Sequence, residues 1–124
     1  MALVKVLVVE DSPTMRQLIY FSLKPIRGLQ IIEACDGLEG LRKLNQEDFH
    51  IALIDINMPL MDGLKLIRMI KENPIKRDIP VVIISTEGGE DARDKAMALG
   101  VNAYITKPIQ AGNVFRTVKE ILNL

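Results

Sequence analysis

Short β-branched runs alternate along the chain with stretches in which apolar residues recur every three or four positions, the pattern of strands and helices taken in turn around a parallel sheet. The pattern predicts five strands, Val4 to Val9, Gln30 to Ala34, Ile51 to Ile54, Val81 to Ile84 and Ala103 to Thr106. The first, third and fourth are nearly continuous apolar runs, as expected of central strands covered by helices on both faces. Ser12 and Pro13 form an N-cap and first helical residue, opening a helix with Met15, Leu18, Ile19 and Ser22 on one side until Pro25 stops it. A second helix carries Leu38, Leu41 and Leu44. A third carries Leu64, Ile67 and Ile70 and ends before Pro74. A fourth carries Ala92, Ala96 and Leu99 and finishes at Gly100, and the last carries Val114, Val118, Ile121 and Leu122. Short loops and right-handed crossovers favour a doubly wound α/β fold, whose ligands sit beyond the carboxyl ends of the strands where strand order reverses.

Composition narrows the classes of function. With 124 residues, 48% hydrophobic and 26% charged, the chain reads as one globular domain spanning 1–124, with no linker, repeat or low-complexity tract. Sixteen basic residues balance sixteen acidic ones, so no net positive charge drives attachment to nucleic acid. Cys35 is the only cysteine, which excludes an internal disulfide and a cysteine metal cluster and suits a small loop or core position. No apolar run reaches the ~18 residues of a membrane span, and a strand pattern opens the chain where a signal sequence would lie, so a cytoplasmic location without membrane attachment is expected.

The residues just after the strands are Glu10-Asp11, Cys35-Asp36, Asp55, Ser85-Thr86 and Lys107-Pro108. Any one of these could be an ordinary solvated loop residue; together they place acids, hydroxyls and a lysine on one edge. Carboxylates brought together at neighbouring strands raise one another's pKa unless a cation joins them. Magnesium, which takes one or two carboxylates plus phosphate oxygens, suits so sparse a set better than calcium.

The run Val8-Val9-Glu10-Asp11-Ser12, the loop Asp55-Ile56-Asn57-Met58-Pro59-Leu60-Met61-Asp62-Gly63, then Ser85 and Lys107-Pro108, resemble in order and interval the receiver domains of bacterial two-component response regulators, over essentially the whole chain. The resemblance implies a flavodoxin-like sheet of strand order 2-1-3-4-5 and a phosphorylation-activated switch that is not an enzyme in its own right, although it catalyses its own phosphoryl transfer and slow dephosphorylation. It implies Asp55 as phosphoacceptor, with Mg2+ held by Glu10, Asp11, Asp55 and the backbone carbonyl of Asn57. Most members have Asp where Glu10 stands, and the longer side chain suggests binding through a water. Lys107 corresponds to the lysine that pairs with the phosphoryl oxygens, aimed inward by a cis bond to Pro108. Ser85 corresponds to the switch hydroxyl, with Thr86 a rival by chemistry, and Tyr104 to the switch aromatic, expected to move inward as Ser85 moves toward the phosphate. Asn57, Thr86 and Glu87 occupy positions that tune dephosphorylation; Ala or Gly is common where Thr86 stands, and its bulk should obstruct access. Asp62 is expected to be a turn or cap residue.

The same resemblance implies a sensor histidine kinase or phosphotransfer protein as donor, since His50, the sole histidine, precedes the third strand at the far end of the sheet from Asp55. A downstream protein is expected at the face of helix four, strand five and helix five. Ser12-Pro13-Thr14-Met15-Arg16 is similar to chemotaxis regulators and points to a motility partner. An aspartate-nucleophile phosphatase would place its nucleophile after the first strand, with a second Asp two residues on, where Asp55 follows the third strand and has Asn57. A nucleotide or flavin carrier would need a Gly-rich phosphate loop after strand one, which is missing.

Overall fold

A computed structural model describes residues 3–58 and 60–124; Pro59, one residue of the motif quoted above, lies outside them. Five strands and five helices alternate: β1 (Val4–Val9), α1 (Pro13–Leu23), β2 (Leu29–Ala34), α2 (Gly37–Gln46), β3 (Ile51–Asp55), α3 (Gly63–Glu72), β4 (Val81–Ser85), α4 (Glu90–Met97), β5 (Ala103–Thr106) and α5 (Ala111–Leu122). All strand pairs are parallel, in the order β2-β1-β3-β4-β5. The predicted strands are all present; β3 and β4 run one residue further, so that Asp55 and Ser85 end strands and do not begin loops.

Alternation along the central strands builds two cores. Val6 and Val8 of β1 join Ile19 and Leu23 of α1 and Val114 and Val118 of α5 on one face. Leu7 and Val9 join Leu44 of α2, Leu66, Ile67 and Ile70 of α3 and Ala96 of α4 on the other. Every residue of β3 and β4 is buried, which is why those strands read as unbroken apolar runs.

Three helices begin with a side-chain cap: Ser12 Oγ accepts from the Met15 N–H, Asp36 Oδ1 from Glu39 and Asp62 Oδ1 from Lys65. Asp62 is thus the cap of α3. The predicted stripe of α2 needs correction, because Leu38 is exposed and the buried face runs through Gly37, Gly40 and Leu44. The helix lies too close to its neighbours for side chains there: a Cβ on Gly37 would sit 2.4 Å from the Met61 carbonyl oxygen and one on Gly40 2.9 Å from Val9 Cγ2. α4 stops at Met97, and a turn carries the chain to Gly100, whose φ of +87° suits glycine. Among the described residues no helix is long and apolar enough to cross a membrane.

Candidate functional site: an acidic cluster and a lysine at the carboxyl edge of the sheet

Backbone pairing carries the strand ends into the site. The Glu10 N–H donates to the Ala34 carbonyl, Ile56 to Ile84, and Lys107 to Ser85, so the residues following β1, β3 and β5 are held by the neighbouring strand. Gly63 lets the loop after β3 fold back under Asp55, since a Cβ there would lie 2.3 Å from the Asp55 carbonyl oxygen. No bulkier residue fits.

Glu10, Asp11 and Asp55 each bring a carboxylate oxygen within 4.8 Å of the others. Asp11 is exposed, while Glu10 and Asp55 are fully buried. The Lys107 ammonium lies 3.1 Å from Glu10 Oε1 and 3.2 Å from Asp55 Oδ2, and donates a hydrogen bond to the latter. Glu10 Oε1 is buried and, apart from its ion pair with Lys107, has no hydrogen-bond partner among the described residues. Glu10 Oε2 accepts from the Ser12 N–H, and Asp55 Oδ1 from the Asn57 N–H. The Lys107–Pro108 peptide is cis.

Burial, reinforced by the carboxyls of Asp11 and Asp55 and only partly offset by the Ser12 N–H, pushes the Glu10 carboxyl up to about 7. Burial alone would push Lys107 down, but its contacts with Glu10 and then Asp55 outweigh this and hold it above its usual value. Three carboxylates around one ammonium leave an excess of negative charge. Three carboxylates whose oxygens converge, one of them buried with the Lys107 ammonium as its partner, form an all-oxygen set that fits a hard divalent cation.

Around this cluster the predicted residues separate into those that meet and those that do not. Ser85 is buried; its hydroxyl donates weakly to Asn57 Oδ1 at 3.4 Å and accepts from the Glu87 N–H at 3.0 Å. The Tyr104 hydroxyl donates to the Glu87 carbonyl. One peptide segment therefore ties Ser85 to Tyr104, a link the sequence did not announce. The Tyr104 ring is already inward and buried, with the Arg93 guanidinium 5.4 Å above it. Thr86 and Glu87 are exposed. Cys35 and Asp36 do not join the cluster: Asp36 caps α2, and Cys35 is an exposed loop residue whose thiol is pushed up by desolvation and by the Glu39 and Asp36 carboxylates. His50 is exposed before β3, its Nδ1 accepting from the Lys5 N–H.

Comparison with known proteins matches this geometry. The family model described as the response regulator receiver domain covers residues 6–119. Chemotaxis protein CheY1 of Helicobacter pylori is 39% identical over 105 residues, 84% of this chain and 85% of that protein. Among solved structures, that of the phosphorylated cyanobacterial phytochrome response regulator RcpA is 33% identical with a TM-score of 0.82, covering 97% of this chain and 91% of that one. The Mn(2+)-bound form of response regulator Rcp1 is 32% identical with a TM-score of 0.80, covering 94% and 90%. With its fold, its strand-edge cluster and these relatives in agreement, the chain belongs to the receiver domains of two-component response regulators, of the type found in chemotaxis regulators.

Proposed function

We propose that residues 1–124 act as one receiver unit in which Asp55 accepts a phosphoryl group from the phosphohistidine of a sensor kinase or phosphotransfer protein. The observation that carries this reading is the buried Asp55 carboxylate, at the end of a rigid central strand, with Lys107 3.2 Å away and two further carboxylates beside it. Relatives solved in phosphorylated and Mn(2+)-bound forms support it. Glu10, Asp11, Asp55 and the Asn57 carbonyl would hold Mg2+. When bound, that ion neutralises the carboxylates and the oxygens of the incoming phosphoryl group.

In the transfer, an Asp55 carboxylate oxygen forms the O–P bond as the P–N bond to the donor imidazole breaks, its electron pair remaining on nitrogen. The chain's own contribution is positioning and charge. The Asn57 N–H holds Oδ1, and Lys107 is placed to pair with the phosphoryl oxygens once Asp55 is modified. The new charge, about −2 by analogy with other protein phosphates, draws the Ser85 hydroxyl, which gives up its weak bond to Asn57 Oδ1 for a phosphoryl oxygen and shifts the Glu87 N–H that donates to it. Because the Glu87 carbonyl holds Tyr104, the change reaches β5, and the face of α4, β5 and α5 presents it to a downstream protein, in motility by likeness to the chemotaxis relatives. Hydrolysis of the acyl phosphate is slow and is tuned by Asn57, Thr86 and Glu87. A cytoplasmic setting suits such a carrier.

Incubation with Mg2+ and a small acyl phosphate, followed by intact-mass measurement, tests the proposal. One phosphoryl group per chain that disappears with a chelator is expected; multiple turnover without an adduct, or labelling indifferent to metal, refutes it.

A further inference from the structure

Arg16 stands one turn into α1, outside the acidic cluster, yet its side chain turns back to the loop that carries it. Nη1 donates to the Glu10 carbonyl at 2.8 Å and, more weakly, to the Asp11 carbonyl at 3.4 Å. On its other edge Nε lies 3.2 Å from Glu33 Oε1, and Glu33 pairs with Val8 across β1 and β2. The planar guanidinium thus spans from the edge strand to the turn between β1 and α1. A lysine carries all its donors on one nitrogen and lacks the separate Nε and Nη1 donors that here reach the strand and the turn together. The Arg16 side chain is only 20% exposed and that of Glu33 43%, so this is more than a flexible surface pair.

We propose that Arg16 is a positioning residue for the metal-binding turn: it fixes the backbone from which Glu10 and Asp11 project, with Glu33 fixing Arg16 in turn. The inference rests on the reading of Glu10 and Asp11 as metal ligands. Charge alone argues for the opposite effect, since a cation behind an acidic cluster repels a divalent ion. What Arg16 contributes is order. The Glu10 side chain is held by the Ser12 N–H, and the Arg16 N–H is itself bound to the Ser12 carbonyl, so helix, turn and ligand are linked through one residue. Groups that orient metal ligands in this way commonly change affinity by about 10-fold or more.

The opposed signs make the test decisive. Calorimetric Mg2+ titration of the full chain compares the parent with Arg16→Gln, Arg16→Lys and Glu33→Gln, with thermal midpoints measured in chelator as a folding control. Positioning predicts that Arg16→Gln and the charge-preserving Arg16→Lys both bind Mg2+ about 10-fold more weakly. Glu33→Gln should weaken binding in the parent but add nothing once Arg16 is already Gln. Tighter binding in Arg16→Gln with parent-like Arg16→Lys would mean that Arg16 acts by charge, and overturns the proposal. Lower midpoints with unchanged Mg2+ affinity would reduce it to packing, and also overturn it. A parent that binds no Mg2+ overturns the metal site itself, an outcome distinct from a parent that binds and variants that bind equally well.

Discussion

The two ends of the sheet carry ionic groups of similar kind and treat them in opposite ways. At the amino edge Lys5 pairs with Glu47 at 3.0 Å and Lys76 with Asp48 at 3.5 Å; Lys5 and Glu47 each keep about a third of their side-chain surface in water, and Asp48 nearly all of it. Such pairs cost little desolvation and contribute little. Five residues further along the same segment as Lys5, Glu10 is sealed from solvent, and with Asp55 it shares one ammonium. Burying carboxylates in that ratio destabilises the fold. The surrounding strands, with every residue of β3 and β4 buried, supply the rigidity that holds them there.

The sharpest break between the edges is expected from Asp55→Asn, which keeps the shape of the side chain and removes the nucleophile. Labelling by a small acyl phosphate should be abolished while circular dichroism is retained; full, stable labelling in this variant would sink the assignment. Next comes the cost of the buried acid. The Glu10 carboxyl rises from an ordinary 4.5 to about 7, so between those values the metal-free folded protein binds more protons than the unfolded chain. Its stability should therefore fall as pH rises across that window, with the full cost present above about 7. Glu10→Gln should remove this slope and add on the order of 1–3 kcal/mol at pH 8 in chelator. Denaturant melts that gain stability from pH 5 to 7 in the parent would contradict it.

A smaller effect is expected at the mouth of the site. Thr86 is exposed beside Ser85, and Thr86→Ala should speed both labelling and loss of phosphate about threefold, under about 1 kcal/mol of barrier, because donor and water share one path. Unchanged rates would make it a plain loop threonine. The smallest belongs to the amino edge, where Glu47→Gln should cost less than about 1 kcal/mol in thermal or urea melts and leave Mg2+ affinity untouched. A loss as large as that from a buried pair would erase the contrast between the edges.

Periodicity located all ten elements, because strand burial and helix faces impose periods that a chain cannot disguise, and residue type placed Glu10, Asp11, Asp55, Ser85 and Lys107 at one sheet edge once their strands were in order. Patterns of hydrophobicity fail where absence of a side chain is the message. Gly37 and Gly40, not Leu38, mark the buried face of α2, and no apolar count registers a glycine. Burial of the strand-end acids was not legible either: Asp62 became the cap it was expected to be and Asp36 capped α2, while Glu10 and Asp55 lost all contact with water.

By itself the sequence determined the element order, the helix stops and the set of acids, hydroxyls and lysine that follow the strands, all properties written in local pattern and residue type. Only the tertiary structure decided that Glu10 and Asp55 share the Lys107 ammonium, that the Glu87 backbone joins Ser85 to Tyr104, and that Arg16 reaches from Glu33 to the turn carrying Glu10 and Asp11. Those are relations between residues far apart in the chain or on different elements. Their distances and burial are set by how the strands register and the helices pack, and neither composition nor spacing carries that information.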